Sequence, residues 1–185
     1  MSQSPNISII VEGCIAGDRL YQKQLYELCH VRVMSVCMRY CSNYEEARDL
    51  FQESFIRIFS NLNSFKSEQG DLLAWVYTIS RNVVFTHLSK QKFSFTELND
   101  QYIDYKEDSQ NEIISGQFSA IEKEIKQMPE GYRTILNLFV FEELSHDEIA
   151  NILNISPSTS RSQLVRAREY LKKKLLPKPV SIKVN

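Results

Sequence analysis

Apolar residues recur every three or four positions along the first half of the chain, from about Leu20 to His87. This spacing places them on one side of a helix and is typical of amphipathic helices that pack around a shared core. The pattern breaks at Ser42–Asn43 and again in the polar stretch Lys66–Asp71, so the sequence predicts three successive helices. The apolar positions that define the first two are Leu25, Leu28, Val33, Val36, Tyr40, Ala47, Leu50, Phe51, Phe55, Ile58, Phe59 and Leu62.

The second half begins with an acidic stretch that lacks periodicity, TELNDQYIDYKEDSQNE, and this is typical of a linker. Helical spacing resumes in FSAIEKEIKQM, is interrupted at Pro129–Gly131 and returns in YRTILNLFVFEEL. We therefore predict an all-α chain with two small helical domains. The predicted domains are residues 1–92 and 118–176, joined by a linker at 93–117 and followed by a tail at 177–185.

The composition narrows the class of protein. Glycine and proline number only five each, which argues against a turn-rich all-β fold. No apolar run approaches a membrane span and no secretory signal is visible, so we expect a cytoplasmic protein without direct membrane insertion. The net charge of −1 conceals an asymmetry: residues 158–174 hold six basic side chains against Glu169, and residues 97–112 hold six acidic ones against Lys106. A basic helix of this kind favours an anionic partner.

The four cysteines lie in the first quarter of the chain, and we expect them to be reduced thiols packed in the core. His30, Cys37 and Cys41 share one helical face by spacing, which leaves a metal site as the alternative. Met34 lies on that face as well and favours simple packing. We therefore predict neither a metal nor a cofactor. The cysteines are Cys14, Cys29, Cys37 and Cys41.

The stretch ISPSTSRSQLVRAR, residues 155–168, follows a short helix that Ser145 and Glu148 start with capping-box spacing. Ser156 caps a second helix and Pro157 occupies its first position, so the pair has the layout of a helix-turn-helix. By helical spacing, the residues expected to face inward are Ile149, Ile152, Leu153, Leu164, Ala167 and Leu171. Those expected on the opposite side are Ser158, Arg161, Ser162, Val165 and Arg166.

The outward side of this second helix suits duplex DNA. Arginine bonds bidentately to guanine in the major groove, and short hydroxyl side chains approach bases or phosphates. The alternative is a solvated helix face with a basic C-terminal end, which the helix dipole also favours. The combination of cap, turn, hydroxyls and arginines favours DNA recognition.

Residues 128–175 resemble the promoter-binding domain of bacterial extracytoplasmic-function sigma factors of the sigma-70 family. The family pattern runs Leu-Pro, an Arg-bearing helix, Leu-Ser-x-x-Glu-Ile-Ala, Gly-Ile-Ser, Thr-Val-x-Ser and Arg-Ala-Arg. The matching residues are Pro129, Arg133, Leu144, Ser145, Glu148, Ile149, Ala150, Ile155, Ser156, Thr159, Ser162, Arg166, Ala167 and Arg168.

The N-terminal half resembles the same family in two motifs, ARDLFQESFIRIF and AWVYTISRNVV, which occur in the family's order. The matching residues are Asp49, Leu50, Gln52, Glu53, Phe55, Arg57, Ala74, Trp75, Tyr77, Ile79, Arg81 and Asn82. Together the resemblances cover most of the chain.

The resemblance implies a sigma factor, which is not an enzyme but binds core RNA polymerase and directs promoter recognition and transcription initiation. The implied partners are core polymerase, through its β′ clamp coiled coil and β flap, promoter DNA and an anti-sigma factor. The implied polymerase contacts are Asp49, Leu50, Gln52, Glu53, Phe55 and Ile56. The implied contacts to the −10 element are Lys66, Gln69, Gly70, Asp71, Trp75, Arg81 and Asn82, with Trp75 expected to be mostly core. The implied contacts to the −35 element are Arg161, Ser162 and Val165 at the bases, with Ser158, Gln163 and Arg166 near phosphates.

The chain departs from the family pattern at four positions. Asn154 and Glu143 stand where glycine is frequent, and asparagine also adopts a left-handed turn. Ser160 replaces a usual buried valine, so we expect modestly weaker helix packing there. Gln163 replaces a common arginine and removes one charge of the kind that contacts phosphate. These changes bear on promoter sequence and affinity rather than on the class of function.

Three other classes of protein compete with this interpretation. A stand-alone helix-turn-helix transcriptional regulator explains the second half equally well but does not explain DLFQESF and AWVYTISRN upstream. An enzyme is disfavoured because His30, His87 and His146 lie far apart in sequence and no glycine-rich phosphate loop is visible. An adaptor of the anti-sigma type does not need a basic recognition helix.

Overall fold

The computed structural model of the chain describes residues 6–66, 70–91 and 120–175. Across these ranges the regular structure is helical and no strand is present, in agreement with the predicted all-α class. The chain divides into two compact units, unit 1 at residues 1–91 and unit 2 at residues 92–185. The predicted linker and tail lie outside the described residues, and so does Gln69.

Unit 1 is a helical bundle built around its second helix, which packs against the other three. A polar residue caps the start of each helix by accepting a hydrogen bond from a first-turn amide, and these caps are Asn6, Asp18, Asn43 and Asp71. The breaks predicted at Ser42–Asn43 and before Leu72 are therefore confirmed. The helices are α1 (Ile7–Ile15), α2 (Arg19–Tyr40), α3 (Tyr44–Asn61) and α4 (Leu72–Lys90), with a single 3₁₀ turn at Leu62–Ser64.

Helix α1 was not predicted from the sequence. It buries only a short stripe, Ile10, Val11 and Cys14, and its β-branched residues carry little helical signal. Its contact with α2 depends on Gly13, because a Cβ atom there would overlap the ring of Tyr21.

The four cysteines are free and buried, which confirms the prediction of core thiols. Burial raises the pKa of Cys29 to about 11 and the pKa of Cys37 to about 11. In the described ranges, no group of three or more His, Cys, Asp or Glu side chains is placed to hold a metal ion. None of the helices described is both long enough and apolar enough to cross a membrane.

Unit 2 contains the predicted helix-turn-helix. Ser145 and Glu148 form the expected capping box at the start of the third helix, and Asn154 ends that helix in the left-handed conformation at φ 54°. Ser156 then caps the last helix by accepting from the amide of Thr159 at 3.0 Å. The helices are α5 (Ala120–Lys126), α6 (Glu130–Val140), α7 (His146–Leu153) and α8 (Pro157–Leu175).

The core of unit 2 follows the predicted inward positions closely. Ile149, Leu153, Leu164 and Ala167 are buried, whereas Ile152 and Leu171 are half-buried at the edge. The predicted interruption near Pro129 is shorter than expected, because Glu130 and Gly131 already belong to α6. Proline suits this position since its backbone has no amide donor to lose.

Replacement of Glu143 by glycine is expected to stabilise unit 2. Glu143 is exposed and has φ 54°, a conformation that costs a side-chain-bearing residue about 1 kcal/mol but costs glycine little. We expect Glu143→Gly to raise the free energy of unfolding in urea by about 0.5–1 kcal/mol. Glu143→Ala keeps the Cβ atom and serves as the control; an equal gain in both variants would show that backbone strain is not the cause.

Candidate nucleic-acid and polymerase interfaces

Helix α8 separates cleanly into a buried stripe and an outward face. Its buried residues are Ser160, Gln163, Leu164 and Ala167, which follow the three- and four-residue spacing of one helix side. On the other side Ser158, Arg161, Ser162 and Val165 are exposed and Arg166 is half-buried, as the sequence predicted. Val165 is 54% exposed, so the outward face carries one apolar side chain among hydroxyls and cations.

Gln163 is a correction to the predicted DNA contacts. The resemblance implies that it lies near phosphates, but its side chain is only 4% exposed. Position 163 lies three residues after Ser160 and four before Ala167, so it belongs to the buried stripe. Its amide group packs within unit 2 and is not available to a duplex.

Hydroxyl groups crowd the N-terminal turn of α8. Ser156 Oγ lies 2.7 Å from Ser158 Oγ and 2.8 Å from Thr159 Oγ1, and the Ser162 hydroxyl donates to the Thr159 carbonyl at 3.0 Å. These bonds hold the exposed hydroxyls of Ser158 and Ser162 in place. These hydrogen bonds fix the residue at which α8 begins. The start of the helix in turn determines on which side each following side chain lies.

Helix α3 carries the predicted polymerase contacts, and the structure divides them into two sets. Asp49, Gln52 and Ile56 are exposed and Glu53 is half-buried, and their spacing of three, four and seven residues places all four on one outward side. Ile56 is 61% exposed. Glu53 also forms an ion pair with Arg57, with 2.7 Å between Oε1 and Nε. The outward side of α3 is thus a mixed acidic, amide and apolar surface.

Leu50 and Phe55 are corrections to the predicted polymerase contacts. Both side chains are buried in unit 1. The Phe55 ring packs against Tyr26 and Phe51, with both pairs of ring centroids 4.9 Å apart. Leu50 and Phe55 occur in the motif because an amphipathic helix needs apolar residues that pack in the core, opposite its outward side.

The predicted contacts to the −10 element lie at the start and along one side of α4. Lys66, Gly70 and Asn82 are exposed. Asp71 is exposed as well, and its Oδ2 accepts from the amide of Ala74 at 3.0 Å, so it caps α4. Asp71, Trp75 and Asn82 are four and seven residues apart, which aligns them along one side of the helix.

Two of these side chains are held by aromatic neighbours. Trp75 is half-buried, with its ring centroid 5.6 Å from that of Phe65. Arg81 is also half-buried and its guanidinium carbon lies 5.4 Å from the centre of the Phe85 ring. Trp75 is therefore less buried than the expectation of a mostly core residue.

His146, which none of the sequence motifs assigns to DNA binding, lies beside helix α8 in unit 2. His146 Nδ1 lies 2.9 Å from Ser160 Oγ, and the imidazole stacks on Phe139 with ring centroids 5.0 Å apart. Burial and the positive charge of Arg161 lower the pKa of His146, and the nearby Asp147 partly opposes them. No spacing rule links positions 146 and 160, which lie on different helices, so the pair was not visible in the sequence.

The geometry of unit 2 is typical of one class of protein, the DNA-binding helix-turn-helix proteins. A capped helix, a left-handed turn and a second helix with an outward basic face form a helix-turn-helix of the kind that enters the major groove of duplex DNA.

Comparisons with known proteins specify this class further. Residues 25–94 match sigma-70 region 2 and residues 118–171 match sigma-70 region 4. The chain is 31% identical to the ECF RNA polymerase sigma factor SigW of Bacillus subtilis, over 84% of this chain and 85% of that protein. It is 28% identical to the RNA polymerase sigma-H factor of Pseudomonas aeruginosa, over 91% and 93% respectively.

A solved structure with similarity to the chain is the sigma factor RpoE of Bartonella quintana, in complex with the anti-sigma factor NepR. The TM-score is 0.45 and the identity 22%, over 83% of this chain and 95% of that one. On the region 2 and region 4 matches and the likeness to SigW, the chain belongs to the extracytoplasmic-function sigma factors of the sigma-70 family. The family inferred from the sequence motifs is confirmed.

Proposed function

We propose that this sigma factor joins core RNA polymerase through the outward side of α3 and carries it to promoters whose −35 element is read by α8. The observation that carries the proposal is the presence, in one chain, of a region 2 unit and a region 4 unit that each present an exposed polar face. A stand-alone regulator needs the second unit only and is not favoured.

The proposed polymerase surface consists of Asp49, Gln52, Glu53 and Ile56, and its partner is the coiled coil of the β′ clamp. Their common side of α3 supports this assignment, because a docking helix needs an accessible face that combines an apolar centre with polar neighbours. Leu50 and Phe55 are left out, since they form the core beneath that face. The β flap is the proposed partner of unit 2.

Opening of the −10 element is assigned to the start of α4 and the side that follows it. Asp71, Trp75 and Asn82 lie along that side, and Arg81 and Lys66 add positive charge. A base that is flipped out of the duplex needs a ring to stack on and polar groups to bond with its edge, and this surface offers both. The cost of unstacking is offset by these contacts.

Reading of the −35 element is assigned to Arg161, Ser162 and Val165, with Ser158 and Arg166 at phosphates. Arg161 makes no ion pair within the described residues, so its guanidinium is available to a base or a phosphate. Val165 adds an apolar contact that suits the methyl group of thymine. The rigid start of α8 fixes which of these side chains reach the groove.

Two further parts of the proposal follow from the family. The chain acts in the cytoplasm, where transcription takes place, as an initiation factor without catalysis of its own. An anti-sigma factor that covers the polymerase and DNA faces is the proposed controlling partner.

The proposal is tested with purified chain and bacterial core RNA polymerase. We expect the two to co-elute in gel filtration, and we expect the resulting holoenzyme to select duplexes with a common −35 and −10 sequence from a random pool and to transcribe them. A chain that binds duplex DNA alone but neither co-elutes with core polymerase nor supports transcription would instead be a stand-alone regulator.

A further inference from the structure

We propose that His146 donates a hydrogen bond from Nε2 to a backbone phosphate of the −35 duplex, next to the base pair that Arg161 reads. This inference rests on the proposed function, since it requires α8 to lie in the groove of that duplex. It assigns to DNA binding a residue outside the recognition helix, on the first turn of α7.

The imidazole of His146 is held from two sides. One face stacks on Phe139 at 5.0 Å between centroids, with 24° between the rings. Its Nδ1 atom lies 2.9 Å from the hydroxyl oxygen of Ser160, which is completely buried in the first turns of α8. The ring is therefore hydrogen-bonded directly to the recognition helix.

The buried hydroxyl also fixes which nitrogen carries the proton. In the part of the chain that the structure describes, Ser160 Oγ has one hydrogen-bond partner, His146 Nδ1. A buried hydroxyl hydrogen without an acceptor is costly, so the Ser160 hydroxyl donates to Nδ1. The neutral imidazole then carries its proton on Nε2, which has no partner among the described residues and is free to donate outward.

The surroundings of His146 favour an anion. The Phe139 ring that supports it also supports Arg168, whose guanidinium carbon lies 5.6 Å from the ring centre. The charged groups that face the imidazole are Arg161 and Arg168 from α8 and Asp147 from its own helix, while α6 contributes the uncharged Phe139. The two guanidinium groups carry more positive charge than the single carboxylate of Asp147 carries negative charge, and Nε2–H is a hydrogen-bond donor. When α8 lies on DNA, the anion next to this site is a phosphate of the duplex.

Two of the backbone donors at the start of α7 are already used. The Ser145 hydroxyl accepts from the amide of Glu148, and the Glu148 carboxylate in turn accepts from the amide and hydroxyl of Ser145. The capping box therefore occupies the amides of Ser145 and Glu148. The imidazole of His146 supplies a further donor beside this helix start.

A phosphate contact has a pH signature. Burial and the arginines lower the pKa of His146 in the free protein, and a bound phosphate raises it, because a negative charge stabilises the imidazolium. Binding then takes up a proton. The affinity for DNA rises as the pH falls through the pKa of the bound form and levels off below the pKa of the free form.

The test uses the holoenzyme and a duplex that it has selected from a random pool, with single phosphates around the −35 element replaced one at a time by uncharged methylphosphonate. For the wild-type chain we expect the affinity to fall about tenfold at the phosphate that His146 contacts, as for the loss of a hydrogen bond to a charged group. The phosphates assigned to Ser158 and Arg166 are further sensitive positions and stay sensitive in the variants of His146. The variant His146→Phe with Ser160→Ala keeps the stacking on Phe139 and leaves no buried hydroxyl unsatisfied. It is expected to be insensitive at the phosphate that His146 contacts and to lose the pH dependence.

Two further variants separate a contact from a structural role. In His146→Gln the amide oxygen accepts from Ser160 and the amide nitrogen donates outward, so we expect sensitivity to the same methylphosphonate to return without the pH dependence. His30→Phe is the matched control, because His30 also stacks on an aromatic ring, Tyr26, and bonds through Nδ1, but it lies in unit 1. It is expected to behave as wild type.

The outcomes are distinguishable. An equal loss of affinity of the double variant for all the duplexes, with the methylphosphonate pattern of the wild type unchanged, would show that His146 is structural and would overturn the inference. Wild-type sensitivity at every position in the double variant, with no loss of affinity, would overturn it as well. If the wild-type holoenzyme selects no common sequence at all, it is the proposed function that fails.

Discussion

Arg161→Ala is expected to lower the affinity of the holoenzyme for its −35 element by about 1–3 kcal/mol, which is the usual value of a bidentate contact to guanine. Arg161 is exposed on the outward face of α8 and lies two residues after Thr159, whose amide is capped by Ser156, and the proposal assigns its guanidinium to a base. The loss should be confined to duplexes that carry the cognate base pair. Binding to duplexes in which that pair is replaced should change little, and the variant should tolerate all four pairs there.

The matched control for this change is Arg166→Ala, on the same helix. Arg166 is half-buried and assigned to a phosphate, so its removal should weaken binding to every duplex to the same degree and reduce the salt slope by about one. Competition binding against a panel of single-base substitutions, at two or more salt concentrations, distinguishes the two. If Arg161→Ala lowers affinity uniformly across the panel, Arg161 contacts the backbone and does not read a base.

Ile56→Glu is expected to weaken the binding of the chain to core RNA polymerase. Ile56 is the apolar centre of the outward side of α3, and the burial of such a side chain at an interface contributes about 1.5–3 kcal/mol. A carboxylate at the same place is buried without a partner, which adds to the loss. We therefore expect the affinity to fall at least tenfold, about the lower limit of this estimate. Because Ile56 is 61% exposed in the free chain, the fold itself should be unaffected.

Val31→Glu is the control for the polymerase surface. Val31 lies on α2 in the same unit and is 69% exposed, so the change of charge and size is comparable. Titration of each variant against labelled core polymerase, with circular dichroism to verify helix content, gives the comparison. Equal affinities for the two variants would mean that the outward side of α3 is not the docking surface. Asp49→Arg with Glu53→Arg tests the acidic part of the same surface.

The sequence predicted the helices that have strong apolar periodicity and clear caps. The breaks at Ser42–Asn43 and before Leu72 and the turn at Asn154 follow from local chemistry, since short polar side chains cap helix starts and asparagine tolerates a positive φ. Helix α1 was missed because a nine-residue helix with three buried positions has almost no periodic signal of its own. It is stabilised by packing on α2, which becomes visible only in three dimensions.

Most of the residues predicted for the functional surfaces lie on helices that the sequence predicted, but some of them are not exposed. A motif match assigns every matched position to function, but half of an amphipathic helix must face the core. The resemblance therefore assigns Leu50 and Phe55 to polymerase contacts although they are core, and it assigns Gln163 to phosphates although its side chain is buried. Helical spacing resolves such cases when it is applied to each residue in turn, since Gln163 shares its side with Ala167.

The pair His146 and Ser160 shows what spacing rules cannot provide. Ser160 was expected to weaken packing, because a serine in place of a valine leaves less apolar surface in the core. In the structure the Ser160 hydroxyl forms a hydrogen bond with the imidazole of His146 on helix α7. Contacts between helices depend on their packing, which no local pattern encodes.

The burial of the cysteines has a consequence for how the protein withstands oxidants. A thiol reacts as its thiolate, and with a pKa of about 11 only about one Cys29 or Cys37 side chain in ten thousand is ionised at pH 7. Both sulfur atoms are also shielded from solvent by the bundle that gives α3 its outward side. We therefore expect peroxide and disulfide reagents to modify Cys29 and Cys37 far more slowly than exposed thiols, as long as the bundle stays folded.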